Sequence, residues 1–185
     1  LHTTAHARHP HGGHDMIART LTQMATLAIL ALPQALAAET LPAPTGEVLL
    51  TITGEITQTN DGDAARFDRA MLETLDPVTF TTSTIWTEGP QEFTGVPLKT
   101  LMETVGAGAD SLAATAVNDY AVKIPDSDWI EGGPIVAYLQ NGAPMSLREK
   151  GPLWVVYPFD GNPGFQNEVT YSRAIWQLDR IEVAD

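Results

Sequence analysis

The sequence contains no cysteine, and its five histidines (His2, His6, His9, His11 and His14) all lie within the first fourteen of 185 residues. Beyond that point the chain has neither a thiol nor an imidazole. A zinc site draws on Cys or His, a Ser-His-Asp triad needs its imidazole base, and haem takes an axial His, Cys or Met. These absences all but exclude those chemistries. What remains is carboxylate chemistry, Tyr or Lys acid–base work, a hard cation on oxygen ligands, or binding without catalysis. Positive charge is also scarce: after residue 38 there are 8 basic and 22 acidic residues, a net charge of −14. Such a surface repels phosphate backbones and anionic lipids, so no nucleic-acid partner is expected. Apolar runs are short throughout, apart from one near the N-terminus.

That run belongs to a targeting pattern. Residues 1–15 are His-rich and read as an extension upstream of a better start at Met16. Arg19 supplies a small positive region, Met24 to Leu36 is largely apolar, and Ala35-Leu36-Ala37 has the A-x-A form of a cleavage site. The run is too short to span a bilayer. The expectation is a signal peptide over residues 16–38, a periplasmic or secreted destination, no transmembrane segment after cleavage, and one domain over residues 39–185. An oxidising compartment without cysteine implies a fold that needs no disulfides.

Within that domain the stretch Lys150-Gly151-Pro152-Leu153-Trp154-Val155-Val156-Tyr157-Pro158 stands out. It reads as a buried strand bounded by prolines, with polar turn residues crowding both ends, where a cleft can form. Upstream, Glu47 to Gln58 is β-like, with Gly54 marking a bulge or close approach. Asn60 to Asp63 is a turn. Phe67, Met71 and Leu75, four apart, predict a helix over Ala64 to Leu75 with Asp63 as N-cap, ended by Asp76-Pro77. Asp61-Gly62-Asp63 hints at a calcium loop but lacks the later glutamate. Val78 to Trp86 predicts a threonine-rich strand. Pro97, the stripe Leu98, Leu101, Met102 and Val105, and Gly106 predict a second helix. Leu112 to Ala116 and Tyr120 to Ile124 are strands, and Asp126 to Trp129 is a turn. Ile135 to Gln140 with Asn141-Gly142 is a hairpin. Asp160 to Asn167 is a loop, and Trp176 to Val183 is a closing strand that buries Trp176, Leu178 and Ile181. The class is α+β or mixed α/β, with function on the loops.

Several of these segments, in this order, resemble the molybdopterin-binding oxidoreductase domain of the sulfite oxidase type. The resemblance runs through the threonine-rich strand, Trp86 with Phe93-Thr94-Gly95-Val96-Pro97-Leu98 and Leu101, and Asn118-Asp119-Tyr120 through Ile124-Pro125. It continues through Ala137-Tyr138 to Asn141-Gly142-Ala143-Pro144-Met145, then Lys150 to Pro158, and ends at Trp176 with Ile181-Glu182-Val183. It covers roughly Thr51 to Val183 and implies the family's mixed α/β sulfite oxidase fold.

The departures from that pattern bear on function. The family ligates molybdenum through a cysteine on what is here Phe80 to Thr84, where this chain offers only hydroxyls such as Ser83 and Thr84. Hydroxyls do not reproduce a soft thiolate's metal chemistry. Where the family commonly has His and Arg near the pterin phosphate, this chain has Lys150 and Trp154, and the basic residue usual before the terminal Trp is Ile175. Lys still meets a phosphate as a point charge, and Trp does not. Arg148 and Arg173 are partial compensations.

The expectation is a non-catalytic binding, sensory or accessory protein on a scaffold that has lost its metal centre. The candidate ligand-binding set is Ser83, Trp86, Asn118, Tyr120, Arg148, Lys150, Trp154, Tyr171 and Arg173, with no catalytic and no metal-ligating residue assigned. Trp86, Trp154, Tyr120 and Tyr171 would stack on a ring, and Arg148, Lys150 and Arg173 would take negative charge. The partner is a small anionic or planar ligand, with a pterin or molybdopterin as the cofactor in view, or else a periplasmic or membrane sensor protein. The rival is a molybdopterin-dependent oxidoreductase with non-cysteine ligation, using Asp160 or Tyr171 for proton transfer. A hydrolase on pairs such as Asp126/Asp128 or Glu88/Glu92 is weaker, because such pairs usually form a solvated face.

Overall fold

The computed structural model describes residues 41–185, so the His-rich extension and the expected signal peptide lie outside the described residues. Among the described residues, ten strands and three short α-helices make an α+β fold with two sheets. The first sheet is ordered β2-β1-β10-β5-β6. β1 (Val48–Gly54) lies parallel to β10 (Leu178–Val183) and antiparallel to β2 (Ala65–Asp68). β5 (Ser111–Ala116) and β6 (Ala121–Pro125) continue the sheet as an antiparallel hairpin. Gly54 ends β1 at a positive φ of 91°, and a side chain there would strike the Val183 carbonyl, so the close approach is real.

In the second sheet β3 (Val78–Thr82) pairs with β4 (Gln91–Pro97), and β4 pairs with β7 (Ile135–Gln140). The far edge of β7 is shared by β8 (Ala143–Pro144) and β9 (Trp154–Val156). The β7–β8 turn has Asn141 at φ 52° and Gly142 at φ 74°, the two positive values that an Asn-Gly type I′ turn requires. α2 (Leu98–Val105) follows β4 directly, buries Leu98, Leu101, Met102 and Val105, and ends at left-handed Gly106.

β9 joins the two sheets. On one side it pairs with β7. On the other, the Val155 N–H donates to the Ile175 carbonyl at 2.9 Å and the Leu178 N–H donates to the Leu153 carbonyl at 3.0 Å, just where the chain enters β10. Leu153 to Tyr157 are fully buried. The proline-bounded stretch is thus the seam of the described fold.

One expected element is corrected and one helix is new. Ala64 to Leu75 is not one helix: Ala65 and Phe67 are buried and Arg66 is exposed, the alternation of a strand, and that strand pairs with β1. The helix, α1 (Arg69–Glu73), begins five residues later than expected, and its N-cap is Asp68 rather than Asp63. The spacing of Phe67, Met71 and Leu75 mimicked a helical stripe across the boundary. Beyond the Asp160–Asn167 loop, which holds a 3₁₀ turn at Pro163–Phe165, lies an unexpected helix, α3 (Glu168–Arg173). Asn167 caps it through Thr170, Glu168 stands in its first turn and Arg173 in its last.

Candidate ligand-binding pocket

The β5–β6 hairpin, α3, the turn after β3 and the segment leading into β10 enclose a pocket of about 370 Å³. Four aromatic side chains wall it: Trp86, Tyr120, Tyr171 and Trp176. Asn118 and Gln177 add amide groups, and Ala174 and Ile175 add apolar surface. No charged side chain is among the lining residues.

Local rules place each wall. Asp119 takes a left-handed φ of 66° and tightens the β5–β6 hairpin, where the Ala116 N–H donates to the Tyr120 carbonyl at 2.8 Å. Tyr120, 56% exposed, therefore stands at the pocket mouth. Trp86 is set by the Thr84 hydroxyl, which accepts from its N–H at 3.1 Å and shares a 2.8 Å hydroxyl contact with Thr87. Gln177 also adopts a positive φ, 55°. Its N–H donates to the Lys150 carbonyl at 3.0 Å, its side-chain amide to the Leu147 carbonyl at 2.6 Å, and its carbonyl accepts from Val117 at 2.9 Å. That pinning holds the neighbouring Trp176 in the wall.

The α3 wall is anchored from behind. The Tyr157 hydroxyl donates to Asp128 Oδ2 at 2.7 Å, and Arg173 at the end of α3 donates to the same oxygen at 2.9 Å. Burial, then the hydrogen bond to Asp128, pushes the Tyr157 phenol far above its ordinary range, so it stays a donor at any ordinary pH. Tyr171 reaches the pocket from the same helix and packs against Phe159 at 4.8 Å between ring centroids.

Four of the nine expected residues thus meet at one pocket: Trp86, Asn118, Tyr120 and Tyr171. The other five stand elsewhere. Trp154 is fully buried, its indole N–H donating to the Ala174 carbonyl at 3.1 Å, so it has no face to offer a ligand. Arg173 is committed to Asp128. Arg148 is exposed and outside the lining. Lys150 Nζ lies 5.5 Å from the ring centroids of both Trp154 and Trp176. Ser83 is tied into the turn after β3, its N–H donating to the Asp160 carboxylate at 2.6 Å. Conversely, Trp176 was expected in the core and instead forms the wall. Its sequence signal, a large aromatic just before a closing strand, is the same for both outcomes.

The hydroxyl-bearing stretch Phe80 to Thr84 is engaged in its own turn. Thr82 Oγ1 is buried, accepts from the Asp160 N–H at 3.0 Å and donates to the Ser83 carbonyl at 3.3 Å. Among the described residues no three His, Cys, Asp or Glu side chains gather as metal ligands. The hydroxyls of Thr82 and Thr84 are neutral and internally bonded, and no thiolate stands beside them, so a thiolate-held metal centre does not fit this stretch.

No family model and no curated protein matches this sequence. Among solved structures the fold is similar to the sulfane dehydrogenase SoxCD from Paracoccus pantotrophus, with a TM-score of 0.56 at 17% identity. The match covers 74% of this chain and 38% of that one, so it spans well under half of that protein's length. At this identity the likeness concerns architecture alone, and it establishes the α+β fold of the sulfite oxidase type.

Proposed function

We propose that this chain is a non-catalytic binding domain on a sulfite oxidase-type scaffold, exported to the periplasm, which receives a small molecule in the aromatic pocket. The observation that carries the reading is the pairing of two features in one fold. A pocket of about 370 Å³ has four aromatic walls and no charged lining, while the stretch that aligns with the family's metal-binding position offers only hydroxyls, those of Thr82 and Thr84 internally bonded. A cavity of this size with apolar walls and a few amides suits binding of a compact ligand. The anionic pterin-type ligand is not favoured, because Arg148, Lys150 and Arg173 do not converge on the pocket.

The test uses protein exported through its own N-terminal segment and purified under native conditions. Elemental analysis for molybdenum and fluorescence of the acid-oxidised extract for pterin are both expected to fall far below one per chain. Molybdenum near one per chain would overturn the binding reading in favour of an oxidoreductase with non-cysteine ligation.

A further inference from the structure

The rings in the pocket wall stand nearly at right angles, and that arrangement selects among ligands. We propose that the pocket takes a compact organic cation with a methylated ammonium head; the proposal rests on the reading of this chain as a binding domain. A flat ligand is held best between two parallel rings separated by its own thickness. Here Trp86 meets Trp176 at 5.3 Å with 74° between planes, and Tyr171 at 6.2 Å with 87°. No slot is left between these rings. They meet edge to face at a corner, and the negative quadrupole of any ring face open to the pocket attracts a rounded cation.

Charge agrees with shape. An anionic head would need a cation in the wall, and none lines it. A methylated ammonium needs no hydrogen-bond acceptor of its own; Asn118 Oδ1 accepts from the Tyr120 N–H and the Gln177 amide nitrogen donates to the Leu147 carbonyl, which leaves the Asn118 amide nitrogen and the Gln177 amide oxygen for a polar tail. The chain after residue 38 carries 22 acidic against 8 basic residues, a field that draws cations toward it.

The same cluster already holds one ammonium. Lys150 Nζ sits 5.5 Å from the centroids of both Trp154 and Trp176, and Lys150 forms no ion pair among the described residues. In a chain crowded with carboxylates, this cation rests on indole faces. It also gives the two ligand charges opposite responses to one substitution. Removing the Lys150 charge strengthens binding of a cation and weakens binding of an anion.

The experiment titrates the purified full chain with choline and with 3,3-dimethyl-1-butanol, its neutral isostere, at constant ionic strength, by calorimetry and intrinsic fluorescence. Choline is expected to bind saturably and about tenfold more tightly than the isostere. Lys150→Met should tighten choline binding, and Trp176→Leu should weaken it by about tenfold. Should Trp176→Leu fail to fold, the isostere comparison and Lys150→Met decide without it. Equal binding of the isostere, or weaker choline binding in Lys150→Met, overturns the cationic class. If choline is inert while a neutral or anionic ring compound binds saturably and loses affinity in Trp86→Phe, the cationic class fails and the binding domain stands. If cationic, neutral and anionic probes all fail to bind, both readings fall.

Discussion

Asp68 is a nearly buried carboxylate that gathers three backbone donors: Met71 N–H at 2.9 Å, Gly46 N–H at 2.8 Å and Thr45 N–H at 2.7 Å. One bond caps α1 and the other two clip the lead-in chain onto β2. The bonds from Met71 and Gly46 hold its pKa below the ordinary carboxylate value, partly opposed by burial. Because the folded value is lowered, the charged form contributes stability above the unfolded pKa of about 4, and that contribution is lost as pH falls below it. Asp68→Asn should therefore lower the urea midpoint at neutral pH, with the gap to the unaltered protein closing as pH drops below about 4. A gap that stays constant would mean the charge of Asp68 is not what matters. The sequence showed an acidic residue ahead of a helix but favoured Asp63. Trp154 and Trp176 exchanged roles in a similar way. Trp154 opens β9 and Trp176 stands just before β10, and which indole faces solvent depends on how β9 meets the segment before β10, a non-local fact.

At the scale of elements, α3 matters out of proportion to its six residues, because it carries Tyr171 to the pocket and is tethered by Arg173. The tether meets Asp128 in the 3₁₀ turn Asp126–Asp128 and Tyr157 just beyond β9. Asp128→Ala leaves a buried phenol and a largely buried guanidinium without their shared acceptor. It should cost roughly 2–3 kcal/mol of unfolding free energy. Amide exchange in residues 168–173 should accelerate more than in β7. A uniform acceleration would show that the tether supports the whole fold rather than this helix. Elements with a local signature were legible: the Asn141-Gly142 hairpin, α2 between Pro97 and Gly106, and the strand before Tyr157. α1 and α3 were not, being too short to show a full apolar stripe and specified mainly by a capping Asp or Asn. Of the pocket, the aromatic residues could be named from sequence, but their meeting could not, since it joins positions 86, 120, 171 and 176 through two sheets.

For the whole molecule, the described residues contain no histidine and no cysteine, so no side chain with an ordinary pKa near neutrality lies within the fold. The urea midpoint should change little between about pH 5.5 and pH 8. A clear slope there would bring the histidines of the first fourteen residues into the folding equilibrium. The chain's abundance of carboxylates also sets a salt response: screening relieves their mutual repulsion and moves the midpoint up rather than down. Three of the four tryptophans touch one another, with centroids 5.3 to 6.4 Å apart and planes 67° to 89° apart. Indoles this close and this inclined share their excited states. The folded protein should therefore show a paired positive and negative circular dichroism band from coupled indole transitions. Replacing Trp86 removes two of the three contacts and should weaken that pair, leaving the Trp154–Trp176 contribution, while the backbone signal persists, giving an optical signature for the intact pocket wall separate from that of the folded chain.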